Sequence, residues 1–376
     1  MAEAVKVSGL RNVVAGESSI STIDGARGIL SYRGIDIHEL VRRSHFEEVV
    51  YLLHRGGLPT REQLEAFRAQ LARERALPDG VLPVLRALPR GTHPMTTLRT
   101  TVSALAGFDP DGGDDRPPAA ARKSLRLTAQ MATVVAAIDR VRNGRTPLAP
   151  DARLSHAANF LYMLTGERPG EAAARALDVA LVLHADHEFN ASTFAARVAA
   201  STLADVHGAI TAALATLKGP LHGGANEAVM QALEEIGRKE RAAEWVRETL
   251  AAKRKIMGFG HAVYRTEDPR ATHLRELSRR IGEETRQGRW YEITAALEEA
   301  VRAGKALYPN VDLYSASLYR ALGIPTDLFT PLFAVSRMAG WTAHVLEQLA
   351  NNKLIRPESE YVGPRDVPYV PIERRG

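Results

Sequence analysis

Four segments of this 376-residue chain hold histidine or aspartate among small residues, away from any regular apolar stripe. In the first, His184-Ala185-Asp186-His187-Glu188-Phe189-Asn190-Ala191-Ser192-Thr193, ten positions carry seven polar or ionisable groups directly after the apolar run Val179 to Leu183. His184 and His187, three apart, could hold zinc. The absence of cysteine and of an HExxH pattern favours a buried hydrogen-bonding network around a ligand instead.

The second segment, Lys218-Gly219-Pro220-Leu221-His222-Gly223-Gly224-Ala225-Asn226-Glu227, leads into a helix with His222 at or near its start. The helix dipole and free N–H groups disfavour an imidazolium there, so a neutral ring able to donate a hydrogen bond is expected. Gly223 and Gly224 permit close backbone approach to a ligand. A plain helix start behind a tight turn is the competing reading.

The third, Arg254-Lys255-Ile256-Met257-Gly258-Phe259-Gly260-His261-Ala262-Val263-Tyr264-Arg265, closes with Asp268-Pro269-Arg270. Gly258-x-Gly260 is too short for a dinucleotide fingerprint, and no strand precedes it. Flanked by Arg254, Lys255, Arg265 and Arg270, this loop is either a cradle for a phosphorylated ligand or an ordinary turn. In the fourth, Lys305-Ala306-Leu307-Tyr308-Pro309-Asn310-Val311-Asp312-Leu313-Tyr314-Ser315, Asp312 reads as the N-cap of a helix running to Leu322 or as a general base.

The elements that must position these groups are mostly helices. Alanine, leucine, arginine and glutamate dominate, while β-branched and aromatic runs are sparse. Gly, Ser, Thr and β-branched residues up to Gly34 predict short strands and turns before the first helix. Ser44-His45-Phe46-Glu47 and Thr60-Arg61-Glu62-Gln63 both read as capping boxes. Helical patterns follow at 120–143, 153–165, 172–183, 194–217 and 285–303, with Val229, Leu233 and Ile236 marking another. Gly107 to Pro118 is the clearest loop. Gly219-Pro220 and Gly323-Ile324-Pro325 read as hinges between domains or as plain helix terminators.

Length and composition also exclude classes. A chain this long suits two domains or one large one, and 45% apolar with 25% charged residues is ordinary for a globular protein. The net charge of +5 comes from interleaved charges of both signs, not the basic stripe of a nucleic-acid binder. Without cysteine, disulfides and thiolate chemistry are excluded. Met1-Ala-Glu-Ala-Val-Lys has no apolar leader core, and no stretch reaches membrane-spanning length, so no membrane association and a cytoplasmic location are expected.

In order, spacing and wording, these segments resemble the citrate synthase family. The likeness runs from Ile23-Asp24-Gly25 and Tyr32-Arg33-Gly34 to the end of the chain. It implies an all-α, two-domain fold with a few short N-terminal strands. Residues 1–219 and 324–376 would form the large domain and 220–323 the small one.

It also implies condensation of acetyl-CoA with oxaloacetate by a homodimer, with CoA as cosubstrate, no permanently bound cofactor and no metal. Asp312 would be the general base, His222 the stabiliser of the enolate, and His261 the donor to the oxaloacetate ketone. His187, Arg270, Arg337 and Arg356 match oxaloacetate contacts, Arg356 reaching into the partner's site. Gly258, Phe259, Gly260, Arg265, Lys305 and Asn310 match CoA contacts. His184-Ala185-Asp186-His187 looks more like the citrate enzymes than the related 2-methylcitrate synthases. No counterpart precedes Met1 to the long extension of NADH-responsive members, so NADH regulation is not expected.

Overall fold

The computed structural model describes residues 8–10, 13–305 and 307–376; Met1–Lys6 and Ala306, which belong to stretches read above, lie outside them. Three short strands open the fold: β1 (Ser21–Asp24), β2 (Ile29–Tyr32) and β3 (Ile35–Asp36). They pair antiparallel in sequence order, with Ile23 opposite Leu30 and Tyr32 opposite Ile35.

Helices then take over, making up 61% of the described residues with short 3-10 turns included, as the composition predicts. The first group is α1 (Ile37–Arg43), α2 (Phe46–Arg55), α3 (Arg61–Arg73), α4 (Val81–Ala87) and α5 (Pro94–Leu105). It continues with α6 (Pro117–Arg142), α7 (His156–Thr165), α8 (Glu171–His184), α9 (Ala191–Ser201) and α10 (Val206–Leu217). The next five are α11 (Ala225–Ile236), α12 (Ala242–Ala251), α13 (Pro269–Glu284), α14 (Gly288–Gly304) and α15 (Val311–Ala321). The last, α16 (Phe329–Ala350), precedes an exposed tail. Among the described residues no helix is long and apolar enough to cross a membrane.

α16 is the axis of the core. It is buried along almost its whole length and packs on α2, α6, α8, α9 and α10. Helices α11–α15 pack chiefly on one another, with α13 also reaching α8 and α1. Both expected breaks do end helices: α10 stops at Leu217, and α15 stops at Ala321 before Gly323 at φ +77°.

Local signals held in some places and lost to tertiary contacts in others. Thr60 and Gln63 form the expected reciprocal capping box of α3. The box expected at Ser44 does not form. The Phe46 N–H donates instead to Asp178 Oδ1 at 2.9 Å, and Glu47 turns inward to accept from the His156 N–H at 2.7 Å. The helical stretch expected over 194–217 is split, because Asp205 caps a new helix by accepting from the Gly208 N–H. Asp312 is not an N-cap. Asn310 holds that position, its side chain accepting from the Asp312 N–H at 3.0 Å, which leaves Asp312 in the first turn of α15.

Candidate active site

Two buried guanidinium groups organise the region where the four segments meet. Arg337, from the middle of α16, donates through Nε to the His184 carbonyl at 2.7 Å. Burial lowers its pKa to about 10, opposed by the charge of Asp186, so it stays cationic near neutrality. Arg270 lies in the first turn of α13. Burial works against its charge, but the Asp268 carboxylate outweighs that and raises its pKa. Asp268 receives Nε and Nη2 of Arg270 at 2.9 and 2.7 Å, and both residues are buried. Asp268 also accepts from the Val311 N–H at 3.2 Å, tying the start of α13 to the start of α15.

Against Arg270 lies a cluster of rings. His187 Nε2 is 3.1 Å from the Tyr264 hydroxyl, and the ring centroids of His187 and His261 are 5.1 Å apart. Burial, followed by Arg270, drives the His187 pKa well below the usual imidazole value. His261 is half-buried, and burial, followed by the charge of Arg270, lowers its pKa to about 4 against the pull of Asp268. Its Nδ1 accepts from the Val263 and Tyr264 N–H groups at 3.0 and 3.2 Å. The neutral ring therefore carries its hydrogen on Nε2.

His222 has the opposite tautomer. Its Nε2 accepts from the Ser192 N–H at 3.2 Å and lies 2.8 Å from Ser192 Oγ, leaving the hydrogen on Nδ1. Trp341 of α16 braces this contact by donating Nε1–H to Ser192 Oγ at 3.1 Å. The neutral ring expected from the sequence is found for a different reason. α11 begins at Ala225, beyond His222, and it is burial first, then Arg337, that lowers the pKa to about 4.

Asp312 is half-buried, yet enough protein surrounds its carboxyl to raise the pKa to about 7. Burial is the main cause; Asp268 adds to it, while Arg270 and Arg337 oppose it. Among the described residues no side chain hydrogen-bonds to that carboxyl, so its lone pairs are free for a proton. Arg337 acts electrostatically on His222, His187 and Asp312; Arg270 acts on His187, His261 and Asp312. Asp312 thus feels both fixed cations, His222 that of Arg337 and His261 that of Arg270.

The glycine loop and the fourth segment are also joined. Gly260 N–H donates to the Tyr308 carbonyl at 2.9 Å, and Asn310 returns its N–H to the Gly258 carbonyl and its Nδ2 to the Gly260 carbonyl. Phe259 pairs with Pro309 as an isolated bridge. Gly258 sits at φ +87°, where a Cβ would lie 2.9 Å from Val229 Cγ2 and 3.0 Å from Leu313 Cδ1. Only glycine suits both its backbone and its space.

Arg265 and Lys305 are exposed. Arg356 is exposed too, lining a separate cavity of about 970 Å³ with Phe189, Arg197 and Glu347. Within the chain it does not join Arg270 and Arg337.

Sequence reasoning gave no role to Ser192, Tyr264, Asp268 or Trp341. Asp268-Pro269 had a legible signal, an N-cap followed by proline at the first helical position. Trp341 had none, since an aromatic on an apolar helix reads simply as core. Among the described residues no cluster of three or more His, Asp or Glu is placed to hold a metal.

A family model described as the C-terminal domain of citrate synthase matches residues 9–358. The chain belongs to the citrate synthase family and is an acyltransferase of the citrate synthase type. It is 49% identical to citrate synthase 2 of Bacillus subtilis and 41% identical to 2-methylcitrate synthase 1 of Corynebacterium glutamicum, with 98% of each chain covered in both cases. Its fold matches citrate synthase from Thermoplasma acidophilum, solved as a ternary complex with carboxymethyl coenzyme A and oxaloacetate. The TM-score is 0.92 at 34% identity, covering 98% of both chains.

Proposed function

We propose that this enzyme condenses acetyl-CoA with oxaloacetate and water to give citrate and CoA, the first step of the tricarboxylic acid cycle. Ionised Asp312 takes a proton from the acetyl methyl group. The electron pair moves into the enolate, whose oxygen receives the Nδ1–H hydrogen bond of His222. The carbon nucleophile then bonds to the oxaloacetate ketone carbon, and His261 supplies its Nε2–H proton to the new alkoxide. Water cleaves the citryl thioester, and CoA leaves as the thiol.

Arg270, Arg337 and His187 hold the oxaloacetate dianion, for which fork-shaped guanidinium groups are suited. Gly258, Phe259, Gly260, Asn310, Arg265 and Lys305 hold CoA. No permanently bound cofactor takes part. Residues 220–323 form a small domain that closes on the large one, the protein works in the cytoplasm, and it does so as a homodimer in which Arg356 completes the partner's site.

What supports this reading most is that the charge of Arg337 acts on His222, that of Arg270 on His261, and both on Asp312, whose carboxyl burial raises to about 7. General acid–base groups supply about 10²–10⁴-fold each. Alignment of two reactants is worth roughly 7–11 kcal/mol of barrier, the larger share.

CoA release from acetyl-CoA and oxaloacetate, followed with a thiol reagent, tests the reading; the chain's lack of cysteine keeps the background low. Asp312→Asn should fold and lose nearly all turnover, whereas near-native turnover would remove Asp312 from the chemistry. The likeness to 2-methylcitrate synthases, at 41% and 40% identity, supports a second reading with propionyl-CoA. One methylene is worth about 1–3 kcal/mol, so use of both acyl groups is compatible with one site. A higher kcat/KM for propionyl-CoA than for acetyl-CoA would reassign the substrate.

A further inference from the structure

The hairpin of β1 and β2 lies away from the proposed chemistry, yet it touches both loops that carry the oxaloacetate histidines. At its turn, the Gly25 carbonyl accepts from the Arg265 N–H at 2.8 Å. A Cβ on Gly25 would lie 2.4 Å from the Val263 carbonyl oxygen and 2.9 Å from its carbon. Gly25 has no positive φ, so its backbone tolerates a side chain and only this close approach forbids one. The obstacle is backbone, which cannot swing aside as a flexible side chain would. Asp24 fixes the turn by accepting from the Ala26 and Arg27 N–H groups at 3.1 and 3.0 Å.

Val263 is the residue whose own N–H donates to His261 Nδ1. The Val263 carbonyl shares its peptide plane with the Tyr264 N–H, which also donates to His261 Nδ1 at 3.2 Å, so displacing that carbonyl moves a group that sets the His261 tautomer and aim. Further along β1, the Ile23 N–H donates to Glu188 Oε1 at 2.6 Å, and Ser21 Oγ accepts from the Glu188 N–H at 3.0 Å while donating to Asp186 Oδ2. Asp186 and Glu188 flank His187. One strand thus grips the His187 loop along its side and the His261 loop at its end.

We propose that the β1–β2 hairpin is a positioning clasp that registers His187 against His261, and that Gly25 is a positioning residue for the proton donor. The inference rests on the citrate synthase reading above and assigns a task to the Ile23-Asp24-Gly25 motif. It needs no contact between the hairpin and substrate. A misplacement of about 1 Å at a reacting group costs on the order of 10²-fold in rate. A methyl group wedged against the Val263 carbonyl demands a shift of that size.

The full-length protein is assayed as Gly25→Ala, Glu188→Ala, Glu188→Gln and His261→Ala, with thermal midpoints in parallel. Gly25→Ala is expected to lower kcat about 10–100-fold and raise the oxaloacetate KM, with the acetyl-CoA KM within twofold and the midpoint little changed. Glu188→Ala should raise the oxaloacetate KM several-fold, and Glu188→Gln, which retains an acceptor at Oε1, should restore it.

Unchanged kinetics in folded Gly25→Ala would overturn the clasp. So would a loss shared equally by both substrates and matched by a fall in midpoint. Should Gly25→Ala not fold, the Glu188 pair decides, and equal oxaloacetate KM values in Glu188→Ala, Glu188→Gln and the parent would overturn the inference. His261→Ala separates the two ideas. If it keeps full turnover the mechanism itself fails; if it is inactive while Gly25→Ala is normal, only the clasp fails.

Discussion

His222 and His261 are both neutral hydrogen-bond donors, but from opposite ring nitrogens and on different supports. Both are half-buried, both are neutral because burial costs the cation more than the neutral ring, and both have one nitrogen occupied by backbone N–H groups. The occupied nitrogen differs, Nε2 in His222 and Nδ1 in His261, so each presents the other as a donor. Their supports differ as well. His222 leans on Ser192 at the start of α9 and, through it, on Trp341 in the buried middle of α16. His261 leans on Val263 and Tyr264 of its own loop, which the β1–β2 turn meets from the other side. Groups braced by packed helices hold their geometry without help, whereas a loop-borne donor is correct only while its neighbours press it into place. One histidine is braced by packed helices and the other by its own loop and the hairpin.

The largest expected effect separates the two by substrate. His222→Ala and His261→Ala should each lower kcat by about 10²–10⁴-fold. His261→Ala should also raise the oxaloacetate KM, because its ring packs against His187 and lies within reach of Arg270. His222→Ala should leave that KM within about threefold. Steady-state kinetics with each substrate varied in turn checks this, and identical KM patterns in both variants would erase the distinction.

Next in size is the dependence on pH. Neither imidazole titrates near neutrality, since both have values near 4, but Asp312 has one near 7. Below that value its carboxyl is protonated and cannot accept the substrate proton, so kcat/KM should rise about tenfold per pH unit up to about 7 and then level. His222→Gln, although slow, should keep the limb in the same place. A limb that disappears in His222→Gln would give the titration to histidine.

The same carboxyl bears on stability. Its folded pKa lies above the ordinary value of 3.8, so the folded state holds a proton that the unfolded chain has released. Stability from this group is intact at low pH and is lost as pH rises from about 4 to about 7, by a few kcal/mol at most. Asp312→Asn should therefore melt at least a few degrees above the parent at pH 8 and close to it at pH 4. A variant that melts lower at pH 8 would mean that the ionised carboxylate supports the fold.

What the sequence disclosed follows the same division between local and assembled. Thr60-Arg61-Glu62-Gln63 is local chemistry, and the helix starts where that pattern puts it. Ser44-His45-Phe46-Glu47 has the same local form, but Asp178 and the His156 backbone claimed its donors and acceptors from afar. Asp312 was ambiguous for that reason: a cap and a base look alike in one dimension, and only the Asn310 contact separates them. The four chemical segments were visible because glycine and histidine stand together in each of the middle two and no apolar stripe explains them. The buried partners were not. Asp268 tying α13 to α15 and Trp341 bracing Ser192 join residues 43 and 149 positions apart, and no spacing rule spans such distances.

The smallest expected effect tests whether His222 is as rigid as its helical supports imply. Trp341→Phe keeps an aromatic ring in a fully buried position and removes one donor, the Nε1–H to Ser192 Oγ. The net worth of such a bond is about 0.5–1.5 kcal/mol, and Ser192 keeps its backbone N–H on His222 Nε2. Turnover should fall only about two- to fivefold, with the oxaloacetate KM unchanged and a melting temperature lower by a few degrees. Ser192→Ala should do somewhat more, because it leaves the Trp341 N–H buried without an acceptor. If either change raised the oxaloacetate KM as strongly as His261→Ala, the two histidines would share one support and not two.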